Sequence, residues 1–399
     1  MKTDAAPGPT SPVASNGPAS DDAAPRAGPI HVVHLFGTLL PGGAERQALT
    51  LVQHRDAAHF RHTAINTCAA ENALAPQFEA AGCPVQVLDK RSHRYPGFLR
   101  ALCRMLRDLH PDVVHTWLYA PNFWGRAAAI WAGVPGLVAS TRTGRRYDHR
   151  YECWLDRWLS RRTAVRLVNA AGVRDALVQQ VGLRAESIRI VANGVNAARL
   201  APSADRAALR ARLGWPVDAP VLLSVGRLVW EKDYPMLFRA VVELRGQFPS
   251  LRVAVAGWGP EQARLEALRT ELGLDDCVEL LGPREDVGDL LAAADLFVMT
   301  SVSEGFSNAL AGGACGSASR SSARVNGAVE VVRHEETGLM VEPRDGGAFS
   351  RAVARLLSDA ALAARLAQAG AAQVQAHYSV AAMVAQHEAA YRAATAGAN

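Results

Sequence analysis

The 399-residue chain contains no apolar stretch of about 18 residues, so nothing in it is expected to span a membrane. Its opening residues lack a basic start followed by an apolar run, so no secretory signal peptide is read there. Six cysteines (Cys68, Cys83, Cys103, Cys153, Cys277 and Cys315) occur without any Cys-x-x-Cys pair. That scatter argues against a zinc site and a disulfide framework and fits a reducing compartment, so a cytoplasmic protein is expected. An excess of one charge is also missing: 43 Lys and Arg stand against 38 Asp and Glu, a formal +5. With no basic-aromatic motif beside it, this mild charge does not point to nucleic acid. It permits an anionic ligand or an anionic membrane surface.

Residues 1–29 are nearly devoid of large apolar side chains. Such a segment cannot bury enough surface to offset its ordering entropy, and a disordered tail is expected. From residue 30 short apolar runs alternate with longer Ala-, Leu- and Arg-rich stretches of helical spacing. Strands are read at 30–35, 62–66, 85–88, 112–115, 136–140, 166–169 and 188–191. After a linker near 194–205 the alternation restarts, with strands at 220–225, 251–256, 277–281 and 295–300. Helices are read near 43–56, 73–81, 96–109, 122–132, 234–247, 260–272, 286–293, 345–357 and 360–375. Strand-helix alternation with buried strands implies α/β architecture with parallel, doubly wound sheets. Two such Rossmann-like units, 30–199 and 200–376, would face each other across a cleft, and sheets of this kind bind ligands at the carboxyl ends of their strands.

The loops at those ends carry the chemistry. Gly42 and Gly43 follow the first strand and open a helix, where the backbone can approach a ligand and free N–H groups can meet a phosphate. A tight turn with Glu45 in the first helical turn reads the same residues without a ligand. Gly226, Arg227 and Lys232 follow the first strand of the second unit and suit a diphosphate clamp, the Arg as a planar fork and the Lys as a mobile charge; a solvated loop with a local Arg-Glu pair is the plain alternative. Gly257 and Gly259 sit at the next strand-helix turn. Glu304, Gly305, Phe306, Ser307 and Asn308 lie just past a further strand: the carboxylate can accept from two sugar hydroxyls while helix N-terminal amides face the phosphate. Helix capping is the competing reading. His115, at the end of 112–115, is either a structural histidine or one that faces the cleft.

Taken as an ordered set, these loops resemble the family-four retaining glycosyltransferases of the GT-B fold. The resemblance covers about residues 30–395 and runs through Gly-Gly-Ala-Glu-Arg, VVHTWLYAPNFWGR (113–126), VANGVN (191–196), SVGRLVWEKDY (224–234), VAGWGP (255–260), LLGPREDV (280–287), SEGFSN (303–308) and ETGLMVEP (336–343). It implies that Arg227 and Lys232 hold the donor diphosphate, and that Gly42 and Gly43 approach it from the opposite domain. Glu304 and the amides from Gly305 to Asn308 would position the sugar, Arg284 would frame the base, and His115 would lie near the reacting carbon. It further implies a nucleotide-sugar substrate, a glycan or lipid-linked acceptor, no bound metal, and a last helix (377–399) that packs back on the first domain.

One departure stands out. The family places a second Glu eight residues after the first, gripping the donor ribose; here that position is Gly312. The family's apolar strand downstream is replaced by 312–324, a run without one large apolar residue, which is not expected to fill a central strand. Given GC-rich codons and started one base early, at the last base of a GGC codon for Gly316, residues 317–324 would read Leu-Gly-Val-Pro-Val-Val-Gly-Thr. In the other shifted phase, GGA and GGC for Gly312 and Gly313 open with Glu-Ala. A compensated frameshift in the gene or its reading is therefore the hypothesis, and weak activity of the chain as written the expectation; sequencing the locus tests the first.

The first unit also carries Arg142, Arg145, Arg146, Arg150, Arg157, Arg161, Arg162 and Arg166, interleaved with Trp154, Leu155, Trp158 and Leu159. This pattern suits docking on an anionic leaflet near a lipid-linked acceptor, or a surface helix whose apolar stripe is core. Transfer of a hexose to a surface polysaccharide or lipopolysaccharide acceptor is the leading reading. A GT-B nucleotide-sugar epimerase and a non-catalytic carbohydrate-binding partner are the alternatives.

Overall fold

The computed structural model describes residues 28–92, 95–143, 149–315, 319–323 and 326–396. Nearly all of the expected tail, and Arg145 and Arg146, lie outside them. Among the described residues there are thirteen strands and fifteen α-helices. The first half comprises β1 (Ile30–Phe36), α1 (Gly43–Gln53), β2 (Phe60–Asn66), α2 (Ala75–Ala80), β3 (Val85–Val87), α3 (Tyr95–Leu109), β4 (Val113–Trp117), α4 (Tyr119–Ala132), β5 (Gly136–Thr141), α5 (Arg150–Ser160), β6 (Val165–Val168), α6 (Ala171–Val181) and β7 (Ile188–Ile190). The second comprises α7 (Arg206–Leu213), β8 (Val221–Val225), α8 (Tyr234–Arg245), β9 (Arg252–Ala256), α9 (Gln262–Glu271), β10 (Val278–Gly282), α10 (Val287–Ala293), β11 (Leu296–Met299), α11 (Asn308–Cys315), β12 (Ser319–Ala323), α12 (Asn326–Val329), β13 (Leu339–Val341), α13 (Gly346–Ser358), α14 (Ala360–His377) and α15 (Val380–Ala396).

All eleven strands read from apolar runs are present. Two more are present: β12, which carries no such run, and β13, whose apolar run is only three residues long. Strands such as β4 and β11 are buried along their whole length, because helices cover both faces of a parallel sheet. Helix starts follow side-chain chemistry: Asp205, Asp345 and Asp359 each accept a backbone N–H in the first turn of the helix they precede.

The seven-stranded sheet runs β3-β2-β1-β4-β5-β6-β7 and the six-stranded sheet runs β10-β9-β8-β11-β12-β13. Every strand pair is parallel. Strand order reverses between β1 and β4 and again between β8 and β11, and a crevice opens at the carboxyl ends of each such pair. The loops singled out from the sequence leave from these strands: Gly42 and Gly43 follow β1, Gly226 to Lys232 follow β8, and Glu304 to Asn308 follow β11.

The polar run corrects one expectation. Ser319–Ala323 does occupy an interior strand position, paired with β11 on one side and β13 on the other. Ladder hydrogen bonds come from backbone groups that every non-proline residue carries, so composition alone does not bar a segment from a slot between two strands.

After α14, which packs on the second sheet, the chain returns to the first. Val195 N–H donates to Tyr378 O at 2.8 Å where it crosses. Met383, Val384, Ala390, Tyr391 and Ala394 of α15 then enter the same core as Val32, Phe36 and Trp117.

Candidate functional site

At the mouth of the second sheet the loops after β8 and β11 are stitched together. Thr300 Oγ1 donates to Lys232 O at 2.8 Å and Val302 N–H to Glu231 O at 2.8 Å. This juxtaposition brings the Lys232 ammonium onto Glu304 Oε1, with side chains only 17% and 14% exposed. Ser301 Oγ donates to the same carboxylate oxygen at 2.8 Å. Gly226 leaves no room beside them: a Cβ there would stand 3.1 Å from Lys232 Cε and 3.2 Å from the Tyr234 hydroxyl. Arg227 is exposed on the same loop. Lys232, Glu304 and Gly226 therefore share one place, with Arg227 at its edge.

Gly257 and Gly259 are there for packing. At Gly257, whose φ is +156°, a Cβ would fall 1.8 Å from Gly226 O, and one at Gly259 would fall 2.3 Å from Leu228 O. Only glycine lets the loop after β9 lie on the clamp loop at that distance.

The start of α11 divides into side chains that face inward and those that do not. Phe306 is buried against Tyr378, ring centroids 5.1 Å apart. Ser307 Oγ accepts from Leu310 N–H at 3.3 Å and donates to Met299 Sδ at 3.2 Å. Neither side chain is turned to the cleft, so the capping reading holds for Ser307, and these two residues can offer a ligand only backbone. Asn308 Oδ1 accepts from Asn193 Nδ2 at 2.7 Å. Gly312 lies on α11, where an added Cβ would stand 3.4 Å from Leu200 Cδ1. Arg284, after β10, is held by Asp286 through a two-pronged pair, Nε to Oδ1 at 2.8 Å and Nη2 to Oδ2 at 2.5 Å.

The first sheet presents its own loop to this site. A Cβ on Gly43 would come 3.1 Å from Asn308 Nδ2 of the second unit. Glu45, in the first turn of α1, is buried over Gly42. Burial raises its carboxyl above the usual range, while its own backbone amide and Arg227 across the cleft draw it back down. Gly305 is pressed on the first unit: a Cβ there would lie 2.1 Å from Arg142 O.

His115 does not stand at the cleft, which corrects the placement near the reacting carbon. It is fully buried, with Nδ1 2.8 Å from the Tyr391 hydroxyl and Nε2 2.7 Å from Ser140 Oγ. Burial holds it well below the ordinary histidine value, with nearby His34, His387 and Arg142 adding to the effect. It belongs to a group with His34, His62, Trp117, His387 and Tyr391. Trp117 Nε1 donates to His34 Nδ1 at 3.0 Å, so neutral His34 donates from Nε2 to His62 Nδ1 at 2.7 Å. That leaves His62 Nε2 as a buried donor without a partner among the described residues.

The run of arginines is not one surface. Arg142 and Arg166 are buried, and Arg166 together with Arg126 holds the buried carboxylate of Asp156. Arg150, Arg157, Arg161 and Arg162 are exposed, as are Tyr151, Trp154 and Trp158, whereas Leu159 is core.

Two facing Rossmann-like units, with ligand-ready loops at both switch points, define a glycosyltransferase of the GT-B class. The family model for glycosyl transferases group 1 matches residues 205–373, and that for Glycosyltransferase Family 4 matches residues 41–199. The lipopolysaccharide core biosynthesis glycosyltransferase LpsE of Rhizobium meliloti (strain 1021) is 32% identical over 266 residues, 67% of this chain and 71% of that one. LpsD of the same strain is 31% identical over 277 residues, 69% of this chain and 74% of that one. Anabaena Alr3699/HepE, solved with UDP-glucose, superposes with a TM-score of 0.79 over 90% of this chain and 99% of its own. At 21% identity that likeness carries the fold. The chain belongs to the family-four glycosyltransferases.

Proposed function

We propose that this glycosyltransferase moves a hexose from a nucleotide-sugar donor to a glycan or lipid-linked glycan acceptor with retention of anomeric configuration. The observation that carries the reading is the Lys232–Glu304 pair at the β8/β11 switch point, opposite the Gly43 loop. A diphosphate entering there would draw Lys232 towards it, with the exposed Arg227 fork beside it. Both would stabilise the negative charge that grows on the departing nucleotide. Glu304, released from Lys232, becomes an acceptor for sugar hydroxyls. Amides at the start of α11 meet the phosphate, and these positive groups together would do the work that a metal does elsewhere. Arg284, beyond β10, would border the base.

LpsE and LpsD are named for lipopolysaccharide core biosynthesis, and HepE was solved with UDP and UDP-glucose. On that basis a UDP-sugar and a lipopolysaccharide-type acceptor head the panel to be tried. The test is incubation of the full chain with UDP-, GDP- and ADP-sugars and candidate acceptors, with the product's anomeric centre read by NMR. Transfer with retained configuration, unaffected by EDTA, is expected. Conversion of donor without acceptor would replace this reading by an epimerase, and absence of nucleotide binding would replace it by a non-catalytic partner.

No helix among the described residues is long and apolar enough to cross a membrane. On α5, however, Trp154 is 68% and Trp158 42% exposed, flanked by exposed arginines. Indoles among cations suit an anionic leaflet, which would hold the enzyme on the cytoplasmic face beside a lipid-linked acceptor. Sedimentation with phosphatidylglycerol vesicles, lost in Trp154→Ala/Trp158→Ala, is the expected result; no sedimentation of the wild-type chain removes the docking role.

A further inference from the structure

Arg142 follows β5 in the first unit and is buried. Its guanidinium lies over the Trp117 ring, 4.7 Å from the centroid. Nη1 donates to Asn193 Oδ1 at 2.5 Å and Nη2 to His387 Nε2 at 3.1 Å. His387 in turn is 2.9 Å through Nδ1 from Met383 O, so both its nitrogens are committed and the ring cannot turn. Arg142 is thus anchored to α15 on one side and offers its other prong to the linker.

The linker passes this on. Asn193 is itself buried, and its Nδ2 donates to Asn308 Oδ1 at 2.7 Å, the first residue of α11. With Asn308 Oδ1 engaged in this way, its Nδ2 is the atom that stands beside Gly43. The backbone of the same arginine makes a second contact with the same loop. Arg142 O accepts from Asn169 Nδ2 at 3.3 Å and lies where a Cβ of Gly305 would need to be. One residue of the first unit therefore meets the sugar loop of the second unit twice, once through a side-chain relay and once through its carbonyl.

We infer that Arg142 is a positioning residue for transfer: through Asn193 it orients Asn308, and through its carbonyl it seats Gly305, so that the donor loop takes its working geometry only when the two units are together. The inference rests on the proposed transfer reaction. The side chains of Arg227 and Lys232 grip the diphosphate from outside this relay, whereas the amides at the start of α11 that meet the phosphate lie on the relayed loop. Breaking the relay should therefore slow turnover more than it weakens nucleotide binding. Relays of packed hydrogen-bonding groups carry coupling of this kind between domains, and members of one relay lose it as a unit.

The experiment uses the full chain and three variants, Arg142→Lys, Asn193→Ala and Gly305→Ala. UDP, GDP and ADP binding is measured by calorimetry, and kcat with whichever nucleotide sugar the wild-type chain turns over. The expected result is a kcat lowered at least tenfold in each variant, with the nucleotide Kd raised by a smaller factor than kcat falls. The double variant Arg142→Lys/Asn193→Ala should be no slower than the slower single one. Amide exchange of residues 303–308, followed without any ligand, should rise about tenfold in Asn193→Ala while β8 and β9 keep their protection. Unchanged exchange at 303–308, or kcat losses that multiply in the double variant, would overturn the inference. A wild-type chain that binds no nucleotide and transfers nothing would instead strike the underlying reaction, and the exchange measurement would still decide the relay. Should Arg142→Lys fail to fold, Asn193→Ala and Gly305→Ala carry the test alone.

Discussion

The ammonium of Lys232 closes on Glu304 Oε1 although 72 residues of chain separate them. Two strand-end loops, each unremarkable in isolation, become one site because β8 and β11 are neighbours in the sheet. The pair is mostly withdrawn from solvent, so each charge depends on the other until a ligand arrives.

Glu304→Gln keeps the shape and removes the charge. It should lower kcat/KM for the donor by about tenfold to a hundredfold, since a hydrogen bond to a charged group contributes about 1.5–3 kcal/mol. Initial-rate kinetics read this directly; a change under twofold would remove Glu304 from the site.

Asp156 is the shared partner of Arg126 and Arg166, and all three are buried. Asp156→Ala strands two buried cations and should cost about 3–5 kcal/mol of stability. Urea unfolding monitored by circular dichroism measures it, and a loss below 1 kcal/mol would mean that water reaches the arginines.

Acid should destabilise the first unit early. Burial lowers His34 and His387 from the ordinary 6.5 to about 3, and holds His62 and His115 well below 6.5 too. Below pH 6.5 the unfolded chain binds protons that the folded chain refuses, so stability present above 6.5 is lost as pH falls towards 3. The slope is up to about 1.4 kcal/mol per pH unit for each such histidine. The urea midpoint should be level from pH 8 to 7 and fall steeply from 6.5 to 5. A flat midpoint over that lower range would show that the cluster is open to water.

Gly312 sits on α11 with room for a Cβ, which would meet Leu200 Cδ1 at 3.4 Å. Gly312→Glu, combined with an apolar replacement of the 317–324 run, should raise activity about tenfold or more by restoring a charged acceptor for the ribose and apolar burial in β12. Equal activity of the two forms, assayed side by side, would show that the chain as written needs neither.

Much of this was readable in the linear chain. Apolar runs such as IHVVHLF and DLFVMT can only be buried strands, and their alternation with helical stretches dictates parallel, doubly wound sheets. The glycines and charges just past those strands therefore come together at the sheets' switch points, because strand ends there are where such sheets leave room. Position in three dimensions was decided elsewhere. In the sequence His115 is a polar group at a strand end and Arg142 the first of a basic run, yet α15, arriving from the far end of the chain, encloses both and turns a candidate site histidine into core. Nothing local signals that enclosure, since burial is a property of what packs on a residue and not of the residue. For the same reason β12 was invisible: its place is set by the gap between β11 and β13, which backbone hydrogen bonds fill whatever side chains they carry.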